Sequence, residues 1–313
     1  MSSNLHAAPP PAPAAADGRD REAIKAIPVR HWGQWVSAAV VLVVVAALVW
    51  SVATNDNLRW SVVGDNLNES SVLRGLWVTI QLTVLSMVLG IVLGIVVAVM
   101  RLSDNKVLGT VSWFYIWLFR GTPVLVQLLV WFNLALFFPT IGFGPLEADT
   151  NDLIKPFVAA LLALALNEAA YMAEVVRAGI LAVDPGQAEA SHALGMTKGQ
   201  TMRRIVLPQA MRVIIPPTGN ETITMLKTTS LVLVVGAGDL LTRTSAIAAR
   251  EFTTIEMLMV ASFWYLALTS IASYGQFHLE RRFARGSAGA LPPTMGQRIL
   301  ANLRPGRVQG GAR

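Results

Sequence analysis

The chain has 313 residues, 54% hydrophobic and only 14% charged, with a formal net charge of +6 and no cysteine. Soluble domains average about 25% charged residues, so this composition excludes an ordinary soluble enzyme, and the lack of cysteine excludes disulfides, thiolate metal sites and cysteine nucleophiles. The histidines (His6, His31, His192, His278) show no ligand-like spacing, and the arginines flank apolar runs, a pattern of membrane topology and not of nucleic-acid binding.

Residues 1–35 are Ala/Pro-rich, with Pro9-Pro10-Pro11 ahead of mixed charge, and are expected to form a disordered cytoplasmic tail. An apolar run at 36–52, edged by Trp35 and Trp50, reads as a first transmembrane helix followed by an outer loop to residue 72. A cleaved signal peptide is the competing reading, but its charged leader would be unusually long and no clear small-x-small cleavage site follows. Five further apolar spans cover about 73–100, 111–138, 156–182, 216–241 and 254–278. Each is long enough to cross a hydrocarbon core of ~30 Å, and each must be helical because backbone groups cannot stay unpaired in lipid. The expected fold is an all-α, polytopic membrane helix bundle with six transmembrane helices.

Lysine and arginine set the orientation. Segments 1–35, 101–110, 183–215 and 279–313 hold 4, 2, 4 and 7 of them, against Arg59, Lys155, Arg243 and Arg250 in the alternate segments 54–72, 139–155 and 242–253. Both termini, including a basic tail at 281–313, are thus expected in the cytoplasm. The 139–155 loop, bearing Glu147, Asp149 and Asp152, is expected outside.

The cytoplasmic segment 183–215 is too long and too patterned for a connector. Asp184-Pro185-Gly186 opens a helix, a capping side chain followed by proline in the first turn. Gln187 to Leu194 continue it, and Gly195 stops it as a glycine at C′ does. Thr197 can cap a second helix through Arg203, Arg204 and Val206, and Leu207-Pro208 should end that one. An interfacial anchor would carry a broad face of Trp, Phe or several Leu; Ala188, Ala190, Ala193 and Leu194 give a shallow face suited to close packing against protein. Gly195-Met196-Thr197-Lys198 lacks the spacing of a phosphate-binding loop, and no other candidate exists in the chain, so an ATPase would have to be another polypeptide.

Glu189-Ala190-Ser191, then Gly195 after three residues, then Ile205-Val206-Leu207-Pro208 after nine, resembles the EAA loop of ABC-importer permeases, with Ser191 the one departure. A second set narrows the resemblance to polar-amino-acid permeases (histidine, glutamine, glutamate, arginine or opine type): Phe119-Arg120-Gly121-Thr122-Pro123, Asn167-Glu168-Ala169-Ala170-Tyr171 through Glu174 and Arg177, and Leu226-Lys227-Thr228-Thr229-Ser230-Leu231. The match covers roughly 73–280. It implies a type I ABC-importer transmembrane fold, a five-helix permease core to which the helix at 36–52 is an addition. It further implies a permease subunit translocating a polar amino acid across the cytoplasmic membrane of a prokaryote. No cofactor would be bound by this chain; ATP and Mg²⁺ would sit on a partner ATPase dimer. A second permease subunit, identical or related, and an extracytoplasmic solute-binding protein near 139–155 complete the implied assembly. In that family the loop, here 184–208, is a coupling helix in a groove of the ATPase: Glu189 reaches the partner, Ala190 permits close approach and Gly195 gives the turn.

The intramembrane polar residues carry a separate argument. A charge at a bilayer centre costs at least ~2.5–3.5 kcal/mol and marks function by default. Arg120, Asn167, Glu168 and Lys227 each lie roughly 14–18 Å into their spans at 1.5 Å per residue. One shared depth on three helices is most economically explained by a common hydrophilic cavity. Asn167, Tyr171 and Glu174 share one helix face; Asn220, Thr224 and Lys227 share another, with Glu221 and Thr228 adjacent. Arg120 and Lys227 can pair an amino acid's carboxylate, Glu168 or Glu221 its ammonium, and Thr228, Thr229 and Ser230 offer neutral partners. Gly121-Thr122-Pro123 should break its helix and free backbone groups to line the cavity. Glu174 and Arg177 read as a mutually neutralising pair. A cationic substrate would want more carboxylate near Lys227 than Thr228 provides. An ion-coupled secondary transporter of small polar solutes would use the same charges but leave the doubly capped loop without a role. An intramembrane enzyme has no catalytic constellation to support it.

Overall fold

The computed structural model describes residues 32–144 and 147–283. The tails expected at either end fall almost wholly outside these residues, although 32–35, expected to be disordered, is already helical. Two compact units divide the chain. The first is represented by α1 (Trp32–Ala53), a helix of 22 residues without a charge. The second begins at Thr54 and holds α2 (Trp60–Leu67), α3 (Ser70–Arg101), α4 (Lys106–Gly121), α5 (Val124–Phe132), the antiparallel two-residue strands β1 (Thr140–Ile141) and β2 (Ala148–Asp149), and α6 (Thr150–Leu153). There follow α7 (Pro156–Leu181), α8 (Pro185–Ala193), α9 (Lys198–Thr201), α10 (Leu207–Thr228), α11 (Leu240–Glu251) and α12 (Thr254–Phe283).

Helices α3 and α7 form the central pair. In lipid the hydrophobic effect does not drive helices together, so close approach through small residues has to supply the attraction. Here Gly90 and Gly94 of α3 lie against α7 so closely that a β-carbon would stand 2.6 Å from Glu168 Cγ or 2.5 Å from Met172 Cβ. The facing side of α7 is built from buried alanines, among them Ala165, Ala169 and Ala173. Around this pair, α5 and the end of α10 close one core with Leu82, Leu128, Leu164 and Met225. The other end of the bundle closes with Ala98, Ile116, Val176 and Ile214. A third core joins α2 and α11 to α12 through Val72, Leu240, Met257 and Val260.

Three expectations need correction. The span at 111–138 is not one straight helix: the chain turns by 103° between α4 and α5. The expected break at Gly121-Thr122-Pro123 is its cause. Pro123 has no N–H for the carbonyl four residues back, and that carbonyl, Phe119 O, instead accepts the side-chain amides of Gln127 (2.9 Å) and Asn167 (2.9 Å). Gln127 also donates to Thr122 O and Oγ1, at 3.1 and 2.8 Å. Second, Pro208 ends no helix. A π-turn at Met202–Val206 widens the backbone ahead of α10, and a helical path runs on from Lys198 to Val235. A wider turn accommodates a ring that would clash in a regular α-helix. Third, the segments 54–72 and 242–253, expected as loops, contain α2 and α11. The fifth span is thus a bent pair, Lys198–Val235 and Leu240–Glu251, at 46°. Four described helices are individually long and apolar enough to cross a membrane, and the number is six when each bent pair counts as one span.

Gly94→Ala should lower stability by about 1–3 kcal/mol through overpacking, read as an earlier unfolding transition of the detergent-purified protein. Gly109→Ala, where nothing lies within 4 Å of the added carbon, should leave it unchanged or slightly raised. Gln127→Leu should cost about 1–3 kcal/mol in the same assay, because buried acceptors at the break lose donors.

Candidate functional site

Helix α7 carries the centre of the polar site. Its Asn167 is held by the helix break, donating to Phe119 O and, at 3.2 Å, to Gln127 Oε1. One residue on, Glu168 is only 3% exposed, and its Oε1 has no hydrogen-bond partner among the described residues. Glu221 of α10 stands within electrostatic range of Glu168, and Arg120 of α4 within range of Glu221 and Glu174. The Arg120 guanidinium carbon lies 5.1 Å from the centroid of the Tyr171 ring, a cation–π contact. Arg120, Asn167, Glu168, Tyr171 and Glu221 therefore meet where α4, α7 and α10 come together. Glu174 and Arg177 pair with each other at 2.9 Å. With that pair closed on itself, Arg120 acts electrostatically on Glu221, and Glu221 on Glu168, so two carboxylates and one guanidinium lie within electrostatic range along this group.

Lys227 does not join this group. It lies with Asn220 and Thr224 on the exposed face of α10, and among the described residues no ion pair holds it. Glu221, six positions away on the helix, is half-buried. The hydroxyls expected to be available are engaged locally: Thr228 donates to Thr224 O (2.9 Å), Thr229 to Leu226 O (2.7 Å) and Ser230 to Lys227 O (2.7 Å). Thr229 is fully buried, so it packs inside the bundle and lines no open surface of this chain. Gly121 is exposed at the break, and Thr122 closes it by bonding Leu118 O at 2.8 Å.

The loop has the local structure its residues dictate. Asp184 caps α8 by accepting Gly186 N at 2.8 Å, with Pro185 in the first turn. At the other end Gly195 N donates to His192 O (2.9 Å) and Met196 N to Ser191 O (3.1 Å), with Gly195 at φ +78°. These two bonds make a Schellman motif, which needs a residue at ease with positive φ. Thr197 and Gln200 form a capping box that starts α9. Glu189 and Ala190 are exposed, and Leu194 is 83% exposed at the tip, an apolar side chain that no described residue covers. Ile205 is half-buried, and Leu207 and Pro208 are exposed at the start of α10. Ser191 differs from its neighbours: it is buried against α9 and turned away from the surface that Glu189 presents.

Sequence reasoning missed two residues. Gln127 is the amide that stabilises the break, and its signal was a lone polar residue one turn beyond a proline in an apolar run. Thr201 is the hydroxyl that Ser191 meets, 2.7 Å away across the glycine turn; no pattern along the chain pairs them.

The family described as binding-protein-dependent transport system inner membrane component matches residues 90–285. The chain is 48% identical over 270 residues to the arginine transport system permease protein ArgU of Corynebacterium glutamicum, covering 86% of this chain and 85% of that one. It is 38% identical over 219 residues to the glutamate/aspartate import permease protein GltK of Escherichia coli, covering 68% and 93%. Among solved structures it is similar to an amino acid ABC transporter crystallised with histidines, with a TM-score of 0.60 and 37% identity over 68% of this chain and 94% of that one. Sequence and fold agree, and the chain belongs to the family of binding-protein-dependent transport system inner membrane components, with the type I ABC-importer transmembrane fold.

Proposed function

We propose that this chain is the permease subunit of an ABC importer that moves an amino acid across the cytoplasmic membrane, using ATP hydrolysed on a separate subunit. The observation that carries the proposal is the helical path Lys198–Val235. Its first turns adjoin α8 and the exposed Leu194, and its later turns carry Glu221 and Lys227. A force applied to α8 by an ATPase is thus applied to the rod that holds the polar residues. The loop needs only different contacts in the two nucleotide states of the ATPase to shift the permease between conformations. ATP and Mg²⁺ belong to that partner dimer.

The exposed stripe Asn220, Thr224, Lys227 argues for a second permease subunit. A lysine turned to lipid near the bilayer centre would cost at least ~2.5–3.5 kcal/mol, so this face is assigned to a water-filled path between two permeases, identical or related. For the substrate we favour an amino acid with a side-chain cation, because Glu168 and Glu221 lie within electrostatic range of each other and the similar ArgU protein is named for arginine. This departs from the preference drawn from the sequence, which did not bring Glu221 to Glu168. Lys227 is available for the substrate carboxylate. An extracytoplasmic binding protein would meet the 139–155 region, where Phe143 is 92% exposed. The Lys/Arg asymmetry supports a cytoplasmic location for both termini.

Lys227→Met should lower uptake of radiolabelled arginine by the reconstituted complex about tenfold, equivalent to ~1.4 kcal/mol of lost charge-assisted contact; unchanged uptake would remove Lys227 from the path. Gly195→Glu places a side chain at φ +78° beside the exposed Leu194, and it should abolish co-purification of the ATPase. If uptake and assembly survive, the loop is not the docking element.

A further inference from the structure

Ser191 is the position at which the loop departs from its family pattern, and its hydroxyl makes two short contacts. It donates to Ala188 O at 2.7 Å and lies 2.7 Å from Thr201 Oγ1. A serine has one proton, so with that proton on Ala188 O the bridge must run from the Thr201 hydroxyl to Ser191 Oγ. Both residues are 4% exposed, which keeps water from competing for the bond.

The bridge spans the turn between α8 and α9. Between α8 and α9 the chain passes through Leu194, Gly195, Met196 and Thr197. The two ends of this turn are stiff, one held by the Schellman bonds and the other by the capping box. At Gly195 itself, φ +78°, nothing lies within 4 Å of a β-carbon position, so no side-chain packing supports the turn there beyond its backbone bonds. The angle between α8 and α9 is therefore set by side-chain contact, since α8 packs on α9 and on the π-turn. With alanine at 191 those contacts would be apolar and free to slide; a directional hydrogen bond adds a fixed distance.

We propose that Ser191 and Thr201 are positioning residues for energy coupling: their hydrogen bond locks the elbow, so that displacement of α8 is passed to the rod carrying Glu221 and Lys227 and not absorbed at Gly195. This rests on the docking role proposed for the loop. Neither side chain is on the exposed surface formed by Glu189, Ala190 and Leu194, so removing the bond should leave docking intact while loosening the elbow.

The chain has no cysteine, so Gln187→Cys and Met211→Cys, both at exposed positions, can carry nitroxide labels on α8 and α10 of the complex purified with its own ATPase. Pulsed electron resonance should give one narrow separation that is the same without nucleotide and with ATP and vanadate, because the elbow moves as a unit. Ser191→Ala or Thr201→Val should each produce a second separation whose share grows with ATP and vanadate, holding roughly a tenth or more of the molecules. Thr201→Ser, which keeps the hydroxyl, should restore the single separation. A distance in the unmodified elbow that changes with nucleotide, or a single unchanged distance in both hydroxyl-free variants, would overturn the proposal. Failure of docking would be visible separately, as ATPase retained by Gly195→Glu, and the label distances in nucleotide-free protein would still report on the elbow.

Discussion

Between α3 and α7 there is no room for a β-carbon at Gly90 or Gly94, and the placement of the polar residues of α7 follows from that contact. Once α7 is seated through glycine on one side and alanine on the other, its remaining faces are committed. Asn167 reaches the break between α4 and α5, Tyr171 lies under Arg120, and Glu168 is pressed over Gly90 with one oxygen unpartnered among the described residues. A membrane protein gains little from burying apolar surface inside lipid, so van der Waals fit and satisfied polar groups must hold the bundle. Leu128 on α5 and Met225 on α10 then close the core against the same helix.

Backbone pairing explains the bends. A carbonyl freed by proline inside a membrane has to be given a donor, and at Phe119 it receives two amides, from Gln127 and Asn167. The donors come from different helices, so the break is also a joint: it fixes α4 and α5 to α7 and directs Arg120 toward α10. Before Pro208 the chain instead widens into the π-turn Met202–Val206, which admits the ring. Here the proline does not interrupt the helix, and the path from the loop into the membrane stays mechanically continuous.

That continuity links the two candidate sites. The loop's exposed surface and the polar face of α10 are ends of one rod, joined to α8 by a glycine turn and a buried hydroxyl bridge.

The membrane class, the approximate spans, the α8 caps and the glycine stop were all legible in the sequence, because each depends on residues within a few positions of one another. Asp184 with Gly186, Gly195 with His192, and Thr197 with Gln200 are local interactions, so spacing alone reveals them. The break at Thr122-Pro123 was legible for the same reason. Its 103° turn was not, because the donors that stabilise it include Asn167, 48 positions away from Phe119. Nor could spacing tell that Glu221 would come within electrostatic range of Glu168 while Lys227 stayed exposed, or that Ser191 would meet Thr201. Which polar groups share a space depends on how closely whole helices pack and how they rotate about their axes, and those quantities are set by contacts between distant parts of the chain.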